Sequence, residues 1–174
     1  MNRTNTSSAV VLMGVSGSGK STIGRVLAAE LQCAFVEGDE LHSNDNIAKM
    51  RSGRPLNDED RWPWLDHIGD TLQVAAGESG LAVASCSALK KCYRDRLAQA
   101  IALPTSFVLL DVSHATLLSR LQQRTDHFMP ASLLDTQLAL LERPTPEENS
   151  LVVDADEPPV EICRVTREWL NRSA

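Results

Sequence analysis

Short, unbroken apolar runs alternate with longer stretches whose apolar residues recur at helical spacing, from one end of the chain to the other. The runs at residues 9–13, 34–36, 81–86, 106–110 and 151–153 lack the in-and-out alternation of a half-exposed strand. They read as strands of a sheet buried on both faces. Residues 21–31, 44–51, 58–76, 89–100, 115–124, 132–142 and 161–171 read as helices, and Asn57 with Asp60 three positions on gives the third a capping-box-like start. Strand and helix taking turns predicts an α/β domain in three layers, a five-stranded parallel sheet between helices. Two polar, turn-rich connections stand out, 52–57 and 125–130, and the second is placed where a small helical lid, about residues 120–137, would close.

The first strand runs directly into Gly14-Val15-Ser16-Gly17-Ser18-Gly19-Lys20-Ser21, with Thr22 next and a helix following. Glycines at these places let backbone N–H groups converge on phosphate oxygens, and the helix start adds its positive dipole end. Strand, glycine-rich loop and helix in this order predict a P-loop that binds ATP through Gly14, Ser16, Gly17, Ser18, Gly19, Lys20, Ser21 and Thr22. Lys20 then bridges the β- and γ-phosphates and the Ser21 hydroxyl ligates Mg²⁺. Kinases, GTPases and motor ATPases share this loop. The chain is short for a motor, and it contains no Asn-Lys-x-Asp segment for guanine, which leaves small-molecule phosphotransfer.

The second strand ends in Glu37-Gly38-Asp39-Glu40-Leu41-His42, at the carboxyl edge of the sheet where ligands of such folds bind. An alcohol acceptor needs a group that orients it and takes its proton, a role that suits Asp39, with Glu37 as an indirect partner of the metal. The third run, expected beside the first strand, ends in Ala84-Ser85-Cys86-Ser87 without a carboxylate. Asp111 and Asp154 end apolar runs in the manner of metal-binding strands, but they are read as decoys.

The segments 37–42, 50–61 and 86–95, together with the P-loop, Arg120-Leu121-Gln122-Gln123-Arg124 and His127-Phe128, resemble the gluconate kinases, a family within the shikimate-kinase-like and nucleoside-monophosphate-kinase-like P-loop enzymes. The similarity extends over residues 10–158. It implies transfer of the ATP γ-phosphate to the 6-hydroxyl of D-gluconate, with Mg²⁺, by a homodimer. It also implies acceptor-side roles for Asp39, His42, Asp58, Arg61, Lys90, Arg94 and His127. Asp58 and Arg61 are three apart at a helix start, and Lys90 and Arg94 are spaced to share a helix face. Arg120 and Arg124 likewise share a face, where they would meet adenine or the γ-phosphate, so that Lys20, Asp39 and Arg124 make the catalytic set. Residues 153–158 resemble the loop that borders adenine. Trp62 and Trp64 are read as packing anchors. A same-fold kinase of shikimate, another hydroxy acid or a nucleoside monophosphate stays open, as does a nucleotide-binding module without turnover.

Composition trims the remaining possibilities. A formal net charge of -6 disfavours a general nucleic-acid binder, which needs a basic surface. No apolar run approaches the length of a membrane span, and 43% hydrophobic residues in 174 suit one domain with a real core. Cys33, Cys86, Cys92 and Cys163 form no CxxC pair and read as ordinary side chains in a reducing cytoplasm.

Overall fold

The computed structural model describes residues 7–123 and 133–173. Five strands, β1 (Ser8–Met13), β2 (Ala34–Glu37), β3 (Leu81–Ser85), β4 (Thr105–Asp111) and β5 (Ser150–Asp154), pair in parallel in the order β2-β3-β1-β4-β5. The helices are α1 (Lys20–Glu30), α2 (Asn44–Arg51), α3 (Asp58–Ser79), α4 (Lys91–Ile101), α5 (His114–Gln122), α6 (Leu134–Leu140) and α7 (Pro159–Ser173). Parallel neighbours require crossovers, and these helices supply them on both faces.

The unbroken apolar character of β1 has a direct structural cause. Ala9, Val11 and Met13 pack with Leu65, Ile68, Leu72 and Leu97 of α3 and α4, whereas Val10 and Leu12 face Ile23 and Leu27 of α1 and Ile162 of α7. A third cluster, Val15, Leu89, Leu117, Leu121 and Leu134, lies under the glycine-rich loop and ties it to α5 and α6. The capping box at α3 forms as expected, with Asn57 and Asp60 exchanging side-chain and backbone bonds. Among the described residues no helix is long and apolar enough to cross a membrane.

One expected helix start is displaced, and two expected site residues move with it. Lys90 has extended backbone angles and caps α4 from outside, because Ala88 and Leu89 are buried in the turn that leaves β3. Lys90 and Arg94 therefore do not share a helix face. Arg94 points inward, 1% exposed, with a bidentate pair to Glu148 at 2.6 and 2.9 Å and a bond to the Glu142 carbonyl at 3.0 Å. This corrects the substrate-binding expectation for Arg94: its guanidinium is consumed in stapling the segment between α6 and β5 onto α4.

Removing one member of a buried ion pair strands the other, so Arg94→Ala should lower unfolding stability by about 3–5 kcal/mol in urea denaturation. The folded fraction should keep its substrate KM within a few-fold. Native stability with a raised KM would restore Arg94 to the substrate.

Candidate active site

The glycine-rich loop bends as its sequence requires. Gly17 and Gly19 hold φ of +85° and +98°, where a side chain would be strained, and α1 opens at Lys20 with no side chain capping its first turn. Its amides are thus oriented for an anion. Lys20 Nζ donates to the Val15 carbonyl at 2.9 Å, curling over the loop. The hydroxyls of Ser16 and Ser18 are buried without a hydrogen-bond partner among the described residues. Across the loop, the Ser16 N–H donates to Gln137 Oε1 of α6 at 2.6 Å.

Opposite stands the end of β2, in register with the end of β3, where Glu37 meets Ser85. The Gly38 N–H donates to Ser85 Oγ at 3.1 Å, the Ser85 hydroxyl donates to Glu37, and Trp64 Nε1 donates to the Gly38 carbonyl at 2.8 Å. A Cβ on residue 38 would collide with the Ser85 carbonyl oxygen, so only glycine fits. Clamped on both sides, the single turn Gly38–Leu41 directs Asp39 into the cavity that holds Lys20 and Ser21. Glu37 does not line that cavity; its carboxylate is taken by Ser85 and Arg25, which makes it a brace for the turn.

His42 stacks on Trp64, ring centroids 4.1 Å apart and planes 13° from parallel. Burial, and then the nearby Arg61 guanidinium, push its pKa down to about 4, so the imidazole is neutral at ordinary pH. Arg61 is 6% exposed and lines the same cavity. It lies over the Tyr93 ring at 5.4 Å and donates to the Leu56 carbonyl at 3.4 Å, but Nε has no partner and no described carboxylate pairs with it. The acids that feel its charge, Asp58 and Asp60, are already bonded to Lys90 and Lys49. A buried guanidinium without a counter-ion is a costly arrangement that an anionic ligand would relieve.

The structure thus brings together Ser16, Gly17, Gly19, Lys20, Ser21, Thr22, Asp39, His42 and Arg61 around one cavity. Of the pair expected to project there together, only Arg61 does. Asp58 accepts from Lys90 Nζ at 2.9 Å and from the Tyr93 hydroxyl at 2.5 Å, in an adjoining groove that shares Pro55 and Leu56 with the cavity. Arg120 lies on the other side of the loop and bridges it to the turn after β5, donating to Ala155 O at 3.0 Å and, more weakly, to Gly17 O and Ser18 O. That side is a groove lined by Gly19, Thr22, Ala155 and Ile162, where the 153–158 segment was expected to border adenine. Arg124 and His127 lie outside the described residues. Asp111 pairs with Arg143, Asp154 accepts from the Asp156 N–H, and neither lines the cavity.

Sequence reasoning overlooked Gln137, Ser85 and Tyr93. Gln137 did leave a signal, since it is the polar member of an otherwise apolar stripe, Leu133, Leu134, Leu140 and Leu141, at helical spacing. Ser85 and Tyr93 left none, because their roles depend on contacts with Gly38 and Arg61, far away in sequence.

A central P-loop strand with β3 and β4 beside it, and an acid in the turn after β2, one strand removed, define a P-loop kinase. Shikimate kinase from Aquifex aeolicus has the same fold, with a TM-score of 0.59 at 16% identity over 95% of this chain and 97% of that one. A family model described as an AAA domain matches residues 10–144. The chain is 49% identical over 152 residues to a gluconokinase of Gluconobacter oxydans, covering 86% of this chain and 84% of that protein. It superposes on the crystal structure of a gluconokinase from Sinorhizobium meliloti with a TM-score of 0.84 at 46% identity, over 96% and 93% of the two chains. The chain belongs to the gluconokinase family.

The suppressed ionisation of His42 has a measurable consequence. The unfolded chain takes this proton near the ordinary value of 6.5 and the folded one only near 4. The native state is therefore favoured in full above pH 6.5 and loses up to about 3 kcal/mol as pH falls to 4. His42→Gln should flatten the fall in urea-unfolding stability over that window; parallel pH curves for the two proteins would exclude a buried neutral imidazole.

Proposed function

We propose that the protein transfers the γ-phosphate of ATP to the 6-hydroxyl of D-gluconate, giving 6-phospho-D-gluconate and ADP. The observation that carries this reading is Arg61: a buried guanidinium that no carboxylate pairs with among the described residues, in the cavity that also holds the phosphate loop and Asp39. A sugar acid presents both features that such a cavity selects, a carboxylate for Arg61 and hydroxyls for Asp39 and His42. Family membership supports the same acceptor.

In this scheme the loop amides and Lys20 hold the β- and γ-phosphates, and Arg120 steadies the loop from the adenine-side groove. Asp39 accepts the proton of the 6-hydroxyl as its oxygen bonds to the γ-phosphorus. The bond from that phosphorus to the β,γ-bridging oxygen breaks, and ADP leaves with the electron pair. His42, held neutral against Trp64, hydrogen-bonds acceptor hydroxyls without changing charge. Ser21 and Asp39 offer a hydroxyl and a carboxylate on the cavity wall, a sparse set of hard oxygens that suits Mg²⁺, which draws its other ligands from phosphates and water. When bound, the ion would neutralise phosphate charge as it builds during transfer. Arg124 and His127 keep the lid roles read from the sequence, the homodimer is the one the family resemblance implies, and the cytoplasmic location is the one the cysteine usage suggests.

Coupled measurement of ADP release should give a kcat/KM for D-gluconate at least about 10²-fold above those for shikimate and AMP. Equal rates across these acceptors would refute the assignment. Asp39→Asn should lower kcat by about 10²-fold or more with ATP affinity within a few-fold, and near-normal turnover would remove Asp39 from the chemistry.

A further inference from the structure

Gln137 has no part in the scheme above, yet its placement is specific. It is 6% exposed, it lines the acceptor cavity, and its side chain is bonded to the phosphate loop, 121 positions away in sequence. A backbone N–H can only donate, so the bond from Ser16 fixes which way the carboxamide points: its oxygen faces the loop. The amide nitrogen is therefore the other end of the group, a donor of two protons at the junction between phosphate loop and acceptor cavity. Two protons leave room for a bond to substrate beside any contact within the protein.

We propose that Gln137 is a specificity-determining residue that donates a hydrogen bond to the acceptor hydroxyl adjacent to the one being phosphorylated. The inference rests on the gluconate reading of the cavity and names one subsite within it. The transferred phosphoryl group is already served by the loop amides and Lys20. A polyol oxygen needs a donor, and the opposing groups, the Asp39 carboxylate and the neutral His42, supply at most one. Because Gln137 is tethered to Ser16, it reaches only the part of the acceptor presented to the loop, which selects the hydroxyl on carbon 5 of gluconate. An acceptor without that hydroxyl forfeits the bond from Gln137, the kind of lost contact on which discrimination depends.

The test is a two-by-two cycle of protein and acceptor, native and Gln137→Met against D-gluconate and 5-deoxy-D-gluconate. Native protein should lose about 10- to 100-fold in kcat/KM when the 5-hydroxyl is removed. Gln137→Met should lose a similar factor with gluconate and little more with the 5-deoxy acceptor, while the KM for ATP stays within a few-fold. Losses that multiply would overturn the proposal. Gln137→Glu guards against a folding defect, since its carboxylate still accepts from Ser16 but cannot donate. It should show the same collapse of discrimination, and native discrimination in Gln137→Glu would overturn the proposed donation. Native protein inactive on both acceptors would refute the gluconate reading itself, a result distinct from multiplying losses.

Discussion

The approach of Gly38 to Ser85 is the constraint on which the site depends. Two neighbouring parallel strands end side by side, and the chain leaving one passes so close to the carbonyl of the other that no side chain fits between them. Gly38 donates to Ser85 and accepts from Trp64, and Ser85 in turn donates to Glu37, so the turn is held on both sides. Since β3 also pairs with β1, whose end becomes the phosphate loop, this contact fixes Asp39 relative to the phosphate-binding amides through rigid sheet. Placement of this kind is how a kinase with little covalent chemistry to perform gains its rate. Trp64 extends the clamp by stacking on His42, so one buried ring orients both acceptor-side groups.

Two buried arginines show how partners decide function. Arg94 and Arg61 are both nearly inaccessible, but Arg94 meets a carboxylate and several carbonyls, whereas Arg61 meets an aromatic face and one distant carbonyl. The first is a completed structural unit. The second is an incomplete one, and it opens onto the cavity that contains the phosphate loop. Its charge also helps to keep His42 neutral, so the anion site and the hydroxyl site are electrostatically linked.

Much of this was legible in the sequence, for physical reasons that can be named. Local signals survived intact: the strand, loop and helix of the P-loop, the capping box of Asn57 and Asp60, and apolar runs that foretold a sheet buried on both faces. The absence of a carboxylate from residues 84–87 directed attention to Asp39, which lines the cavity with Lys20 and Ser21. What failed depended on distant partners. Arg94 looked like an acceptor-side residue because Glu148, its counter-ion, lies 54 positions away, and Lys90 looked helical because the buried turn at Ala88 and Leu89 has no local signature. Gln137 was visible only as a polar interruption in an apolar stripe, and its meaning required the contact with Ser16.

In the proposed mechanism the buried Arg61 guanidinium, which no carboxylate pairs with among the described residues, selects an acidic polyol for the phosphate loop to act on. The most direct measurement compares kcat/KM for D-gluconate and D-gluconamide, which share every hydroxyl and differ in charge, in native protein and in Arg61→Met. Native protein should prefer gluconate by about 10²-fold or more, and that preference should collapse toward unity in the variant. Comparable rates on the two acceptors in native protein, or an undiminished preference in Arg61→Met, would contradict it.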